Sequence, residues 1–70
     1  MLITLNGDRL ELELDTSGSL TVAELLLRLD IDSRRVAVEH NLAVLKRAAF
    51  GDTVVRDGDR VEIVNFVGGG

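Results

Sequence analysis

The stretch Leu20-Thr-Val-Ala-Glu-Leu-Leu-Leu-Arg-Leu29 decides the fold. Thr21 is placed to cap a helix, and Glu24 three residues on closes a capping box with it. Leu20 before the cap and Leu25 at the fourth helical position fit the accompanying hydrophobic staple. Val22, Leu25, Leu26 and Leu29 then share one face at helical spacing. The helix is expected to end near Leu29 or Asp30, where Ile31-Asp-Ser33 breaks the pattern.

On its amino-terminal side, residues 1–14 alternate as a β-hairpin, with Met1, Ile3 and Leu5 on one strand and Leu10, Leu12 and Leu14 on the other. A two-residue loop at Gly7-Asp8 pairs Leu5 with Leu10, Ile3 with Leu12 and Met1 with Leu14. Glycine first in the loop suits a type II′ turn. A loop at Asn6-Gly7 would set Leu5 against Asp8, so the expected loop is Gly7-Asp8. Residues 16–20 are a polar connection into the helix. Beyond the helix, Arg35 to His40 forms a strand with Val36 and Val38 inward, Asn41 a turn, and Leu42 to Leu45 a short strand. Residues 46–53 suit an irregular or single-turn helical stretch packing Phe50. Asp57-Gly-Asp59 is a turn signal before a last strand, Arg60 to Asn65, with Val61 and Ile63 inward. A hairpin, one helix over one face and further strands make an α+β layer arrangement with a mixed sheet. In about 70 residues that order suggests a single β-grasp, or ubiquitin-like, domain over residues 1–65, with residues 66–70 as a flexible carboxyl-terminal tail.

Composition narrows the chemistry. Seventy residues make one small domain, 46% of them hydrophobic, with Phe50 and Phe66 the only aromatic rings. A chain this short buries roughly 60% of its unfolded surface, so the aliphatic core must be dense. The absence of cysteine removes disulfides, thiolate nucleophiles and Cys-ligated metals. A single histidine, His40, leaves no multi-histidine metal site. Twelve acids against eight bases give a net charge of −4, which opposes nucleic acid and anionic membranes. Met1 to Asn6 is too short for an apolar signal core, and no apolar run spans a bilayer. The expectation is a cytoplasmic protein, monomeric when free, without bound metal or cofactor and without a catalytic residue of its own.

Three of the seven glycines are the last three residues, Gly68, Gly69 and Gly70. Glycine loses most freedom on ordering, so the segment after Asn65 is expected to project as an arm. Five extended residues reach roughly 17 Å. Lacking Cβ atoms, such an arm can thread a narrow channel, and its ionised α-carboxylate can approach a phosphate. Activation as an acyl-adenylate would let a sulfur nucleophile displace AMP. The plain alternative is a frayed terminus. Phe66 and Val67, just before the glycines, are either partner anchors or packing on the sheet edge. Other features are quieter. Asp57-Gly-Asp59 offers too few ligands for a cation and suits turn chemistry. His40 lacks a nucleophile or orienting carboxylate recognisable in sequence. Glu11, Glu13 and Asp15 solubilise an edge or steer a basic partner. The glycine run lacks the Lys-Ser/Thr and following helix of a phosphate loop.

The ending Asp57-Gly-Asp-Arg-Val-Glu-Ile-Val-Asn-Phe-Val-Gly-Gly-Gly70 resembles the ThiS-type sulfur carriers of thiamine biosynthesis. Leu5-Asn-Gly7, Thr21-Val-Ala-Glu-Leu-Leu26 and Val36-Ala-Val38 are similar to the same family. The resemblance covers essentially the whole chain, with most of its specificity in residues 57–70. It implies that a ubiquitin-activating-type enzyme consumes ATP to adenylate Gly70, that Gly70 becomes a thiocarboxylate, and that the sulfur passes to thiazole synthase. Gly69 completes the di-glycine and Gly68 extends it. Two departures bear on partner choice: Asn41-Leu42 replaces an Asn-Gly turn, and Lys46 to Phe50 replaces a tryptophan-bearing segment. Rival readings are the small subunit of molybdopterin synthase, a non-covalent β-grasp module such as a TGS domain, and a protein-conjugated modifier.

Overall fold

The computed structural model describes residues 1–66. In chain order the elements are β1 (Leu2–Leu5), β2 (Asp8–Glu11), β3 (Leu20–Thr21), α1 (Val22–Arg28), β4 (Val36–His40), β5 (Ala43–Leu45), β6 (Val54–Val55) and β7 (Arg60–Asn65), with single 3-10 turns at Ser33–Arg35 and Arg47–Ala49. Five strands form one mixed sheet in the order β2-β1-β7-β4-β5, and β3 pairs with β6 in a separate ribbon. The first and last strands, β1 and β7, run parallel at the centre, while the other pairs are antiparallel.

Helix α1 starts where its sequence demands. The Thr21 side chain accepts from Glu24 N–H at 3.1 Å and the Glu24 carboxylate accepts from Thr21 N–H at 3.1 Å. The two preceding orphan donors of the first turn find distant acceptors: Val22 N–H meets Thr53 O at 2.9 Å and Ala23 N–H meets Phe50 O at 3.0 Å. Leu20 and Leu25, the two ends of the staple, are both fully buried. At the other end Asp30 takes φ +58°, with Asp30 N–H bonded to Leu27 O and Ile31 N–H to Leu26 O. That is a Schellman closure with an aspartate in the position glycine usually fills.

The first hairpin departs from the Gly7-Asp8 expectation. Its pairs are Leu2 with Glu11, Ile3 with Leu10, Thr4 with Arg9 and Leu5 with Asp8, so the loop is Asn6-Gly7. Both loop residues have positive φ, +48° and +86°, which makes the turn type I′ rather than II′. Moving the loop by one residue moves the pairing by two, so every side chain keeps its face. The apolar alternation is therefore equally satisfied by both registers. Leu5 loses Leu10 as a partner but lies beside Val61 of β7. Leu14 falls outside the ladder and is 37% exposed, while the Met1 ammonium donates to Leu12 O at 2.8 Å. What selects the register is Asn6 itself. Its Nδ2 donates to Ile63 O at 3.1 Å and its Oδ1 accepts from Ile63 N–H at 2.7 Å, copying a backbone pair beyond the end of β1.

Two further differences follow from backbone geometry. Asn41 and Leu42 both take positive φ, +50° and +73°, so Leu42 belongs to the turn and β5 begins at Ala43. The polar connection before α1 ends in a strand, because Leu20–Thr21 pairs with Val54–Val55 and buries Leu20 and Val55. Residues 47–49 do form one helical turn, and it buries Phe50. The core is otherwise aliphatic, with Ile3, Val38 and Val61 from the sheet against Val22, Leu25 and Leu26 from α1. Among the described residues no helix is long and apolar enough to cross a membrane.

Candidate functional site at the end of the last strand

Strand β7 runs antiparallel to β4 from the pair His40–Val61 to the pair Val36–Asn65. Phe66 N–H extends that ladder by donating to Arg35 O at 2.9 Å. The last strand is therefore fixed by backbone bonds up to the residue where the glycine-rich segment begins. The Phe66 ring is 55% exposed, so it is not a core side chain. It borders a groove with Arg34, Ala37, Leu45 and Arg47, floored by Val36 and Phe50. Val67, Gly68, Gly69 and Gly70, the remaining sequence candidates, lie outside the described residues.

The two 3-10 turns frame this end of the sheet. Asp32 caps the first by accepting from Arg34 N–H at 2.9 Å. The same carboxylate takes Arg34 Nε at 3.1 Å and Nη2 at 3.0 Å, and Arg35 Nε lies 3.8 Å away. The Arg34 hydrogen bonds hold the Asp32 carboxyl down at about 2. The second turn follows Lys46 and presents Arg47.

The Asp57-Gly-Asp59 turn lies at the opposite end of β7 and is structural. Asp57 Oδ1 accepts from Leu2 N–H at 2.7 Å, and Gly58 N–H donates to Leu2 O at 2.7 Å, with Gly58 at φ +86°. Asp59 accepts from Arg56 N–H at 2.8 Å, contacts His40 Nε2 at 2.6 Å and accepts from Asn41 Nδ2 at 3.2 Å. Burial acts to raise the Asp59 pKa, but the bonds from Arg56, His40 and Asn41 outweigh it and leave it lowered. His40 thus has a carboxylate partner that lies 19 positions away and was invisible in sequence. The pair ties the β4–β5 turn to the turn before β7. Among the described residues no three His, Cys, Asp or Glu side chains gather to hold a metal.

A mixed sheet with parallel central first and last strands, one crossing helix and a last strand whose ladder continues to Phe66 defines a ubiquitin-like β-grasp protein. Comparison with known proteins places it within that class. The ThiS family model matches residues 2–70. The sulfur carrier protein ThiS of Bacillus subtilis is 32% identical over 69 residues, covering 99% of this chain and 100% of the relative. The crystal structure of the thiamine biosynthesis protein ThiS from Geobacter metallireducens superposes with a TM-score of 0.80 at 45% identity, covering both chains completely. A thiazole synthase of Paramagnetospirillum magneticum is 44% identical over 70 residues. The chain spans 20% of the length of that relative and of a second thiazole synthase, from Magnetococcus marinus. The chain belongs to the ThiS family.

Proposed function

We propose that this chain carries sulfur as a thiocarboxylate on Gly70 for thiazole formation in thiamine biosynthesis. A ubiquitin-activating-type enzyme supplies the chemistry. The ionised Gly70 carboxylate attacks the α-phosphate of ATP, forming a C–O–P link and releasing pyrophosphate. A hydrosulfide equivalent from a sulfur donor then attacks the acyl carbon and AMP leaves with the bridging oxygen, so one carboxylate oxygen is replaced by sulfur. No oxidation state changes in that exchange when the donor delivers sulfide. The domain supplies recognition, and Phe66, Val67, Gly68 and Gly69 supply the reach into the partner's site. Glycine suits the last positions because a Cβ would narrow the approach of the carboxylate to a phosphate.

The observation that carries this reading is the family match, which runs through the glycines to residue 70. Thiazole synthase as the sulfur acceptor draws support from the two relatives of that name, each containing a stretch similar to this whole chain. The test is intact mass after incubation with ATP, an activating enzyme and a sulfide source. The expected product gains one sulfur for one oxygen at Gly70, and deletion of Gly70 abolishes it. A wild-type chain that gains neither AMP nor sulfur refutes the reading. Transfer to thiazole synthase is read separately, as loss of that sulfur when the enzyme and its other substrates are added.

A further inference from the structure

The charge of the chain is distributed unevenly. Arg34, Arg35, Lys46 and Arg47, four of its eight bases, sit at the two 3-10 turns at the end where β7 stops, and Asp32 is the carboxylate that pairs with Arg34 and Arg35. The other four bases share the rest of the chain with eleven acids. Arg34 is held by Asp32, whereas neither Lys46 nor Arg47 meets a carboxylate within 4.0 Å among the described residues. Between the turns lies the apolar groove floored by Val36 and Phe50, with Arg34 and Arg47 at its rim and the Phe66 ring along its side.

We infer that this cationic groove is the docking surface for an acidic segment of the activating enzyme, one that seats an apolar side chain on Val36 and Phe50 and sets carboxylates against Lys46 and Arg47. The inference rests on the carrier reading above and adds where the partner grips. Position supports it. The groove borders Phe66, the last described residue before the four that the carrier reading sends into the partner's site. Charge supports it as well. A domain of net −4 meets an acidic surface most favourably through the end where half of its bases gather. Rim charges of this kind set encounter rate and its salt dependence more than they set the chemical step. Nucleic acid does not fit the same groove, because the excess of acids elsewhere on so small a domain repels a polyanion.

The experiment is steady-state adenylation of the full chain by its activating enzyme, with the carrier as the varied substrate. Lys46→Glu with Arg47→Glu is expected to raise KM for the carrier by about tenfold, to leave kcat within about twofold, and to flatten or invert the salt dependence. Arg47→Gln gives a smaller rise in KM and Arg47→Lys recovers most of it. Arg9→Glu, a charge reversal on β2 at the far end of the sheet, leaves KM unchanged. Thermal melts of the charge variants match wild type, since Lys46 and Arg47 are exposed. An unchanged KM in the double variant, or an equal rise in the Arg9→Glu control, overturns the docking surface while normal wild-type adenylation leaves the carrier reading standing. A wild-type chain that is never adenylated overturns both.

Discussion

Replacing Asn6 is the most informative single perturbation of the fold. Its side chain makes two hydrogen bonds to the backbone of Ile63, at 2.7 and 3.1 Å, across 57 positions of sequence. They lie at an exposed edge, so each is worth about 0.5–1 kcal/mol net. Asn6 also takes φ +48°, where asparagine is tolerated and alanine is strained by about 1 kcal/mol. Asn6→Ala therefore costs about 2–3 kcal/mol, against a total stability on the order of 4–10 kcal/mol for a domain of this size. Asn6→Gly relieves the φ strain but still loses both bonds, so it costs about 1–2 kcal/mol. The assay is urea unfolding followed by circular dichroism, with thermal melts alongside; each kcal/mol corresponds to about 4–8 °C. The order expected is wild type, then Gly, then Ala. If Asn6→Gly equals wild type, only the turn conformation matters and the β1–β7 clamp contributes nothing. If Asn6→Ala costs under 0.5 kcal/mol, the account of why this register wins is wrong.

Three further outcomes are expected. Thr21→Ala removes the cap oxygen that accepts from Glu24 N–H and lowers stability by about 1 kcal/mol, and Thr21→Ser restores most of it in the same unfolding assay. Phe66→Ala costs at most about 1 kcal/mol because the ring is half-exposed, yet raises KM for adenylation; a loss above about 2 kcal/mol would mark it as core instead. Asp59 has a lowered folded-state pKa, so its contribution is present above the unfolded value of about 4 and is lost as pH falls through the folded value. Asp59→Asn should thus be less stable at pH 7 and show a shallower acid limb, and superimposable stability-versus-pH curves would contradict that sign.

The sequence by itself determined the elements whose physics is local. The cap at Thr21, the reciprocal Glu24 and the staple of Leu20 on Leu25 are separated by five positions at most, so their chemistry is visible in one helical turn. The turn at Asp57-Gly-Asp59 and the glycine-rich ending were legible for the same reason, as was the excess of acids. Tertiary structure decided whatever required two distant segments to meet. Period-two alternation cannot separate hairpin registers that differ by two, because both leave every side chain on its own face, and it took Ile63 to choose the Asn6-Gly7 loop. Strands β3 and β6 are two residues each, too short to carry a period, and exist because each lends the other a partner. The carboxylate beside His40 comes from Asp59, and the cationic groove beside Phe66 draws Arg34 and Arg47 from turns on either side of β4 and β5. Patterns of hydropathy fix which face a residue turns inward; only the closed backbone fixes which residues from different segments stand side by side.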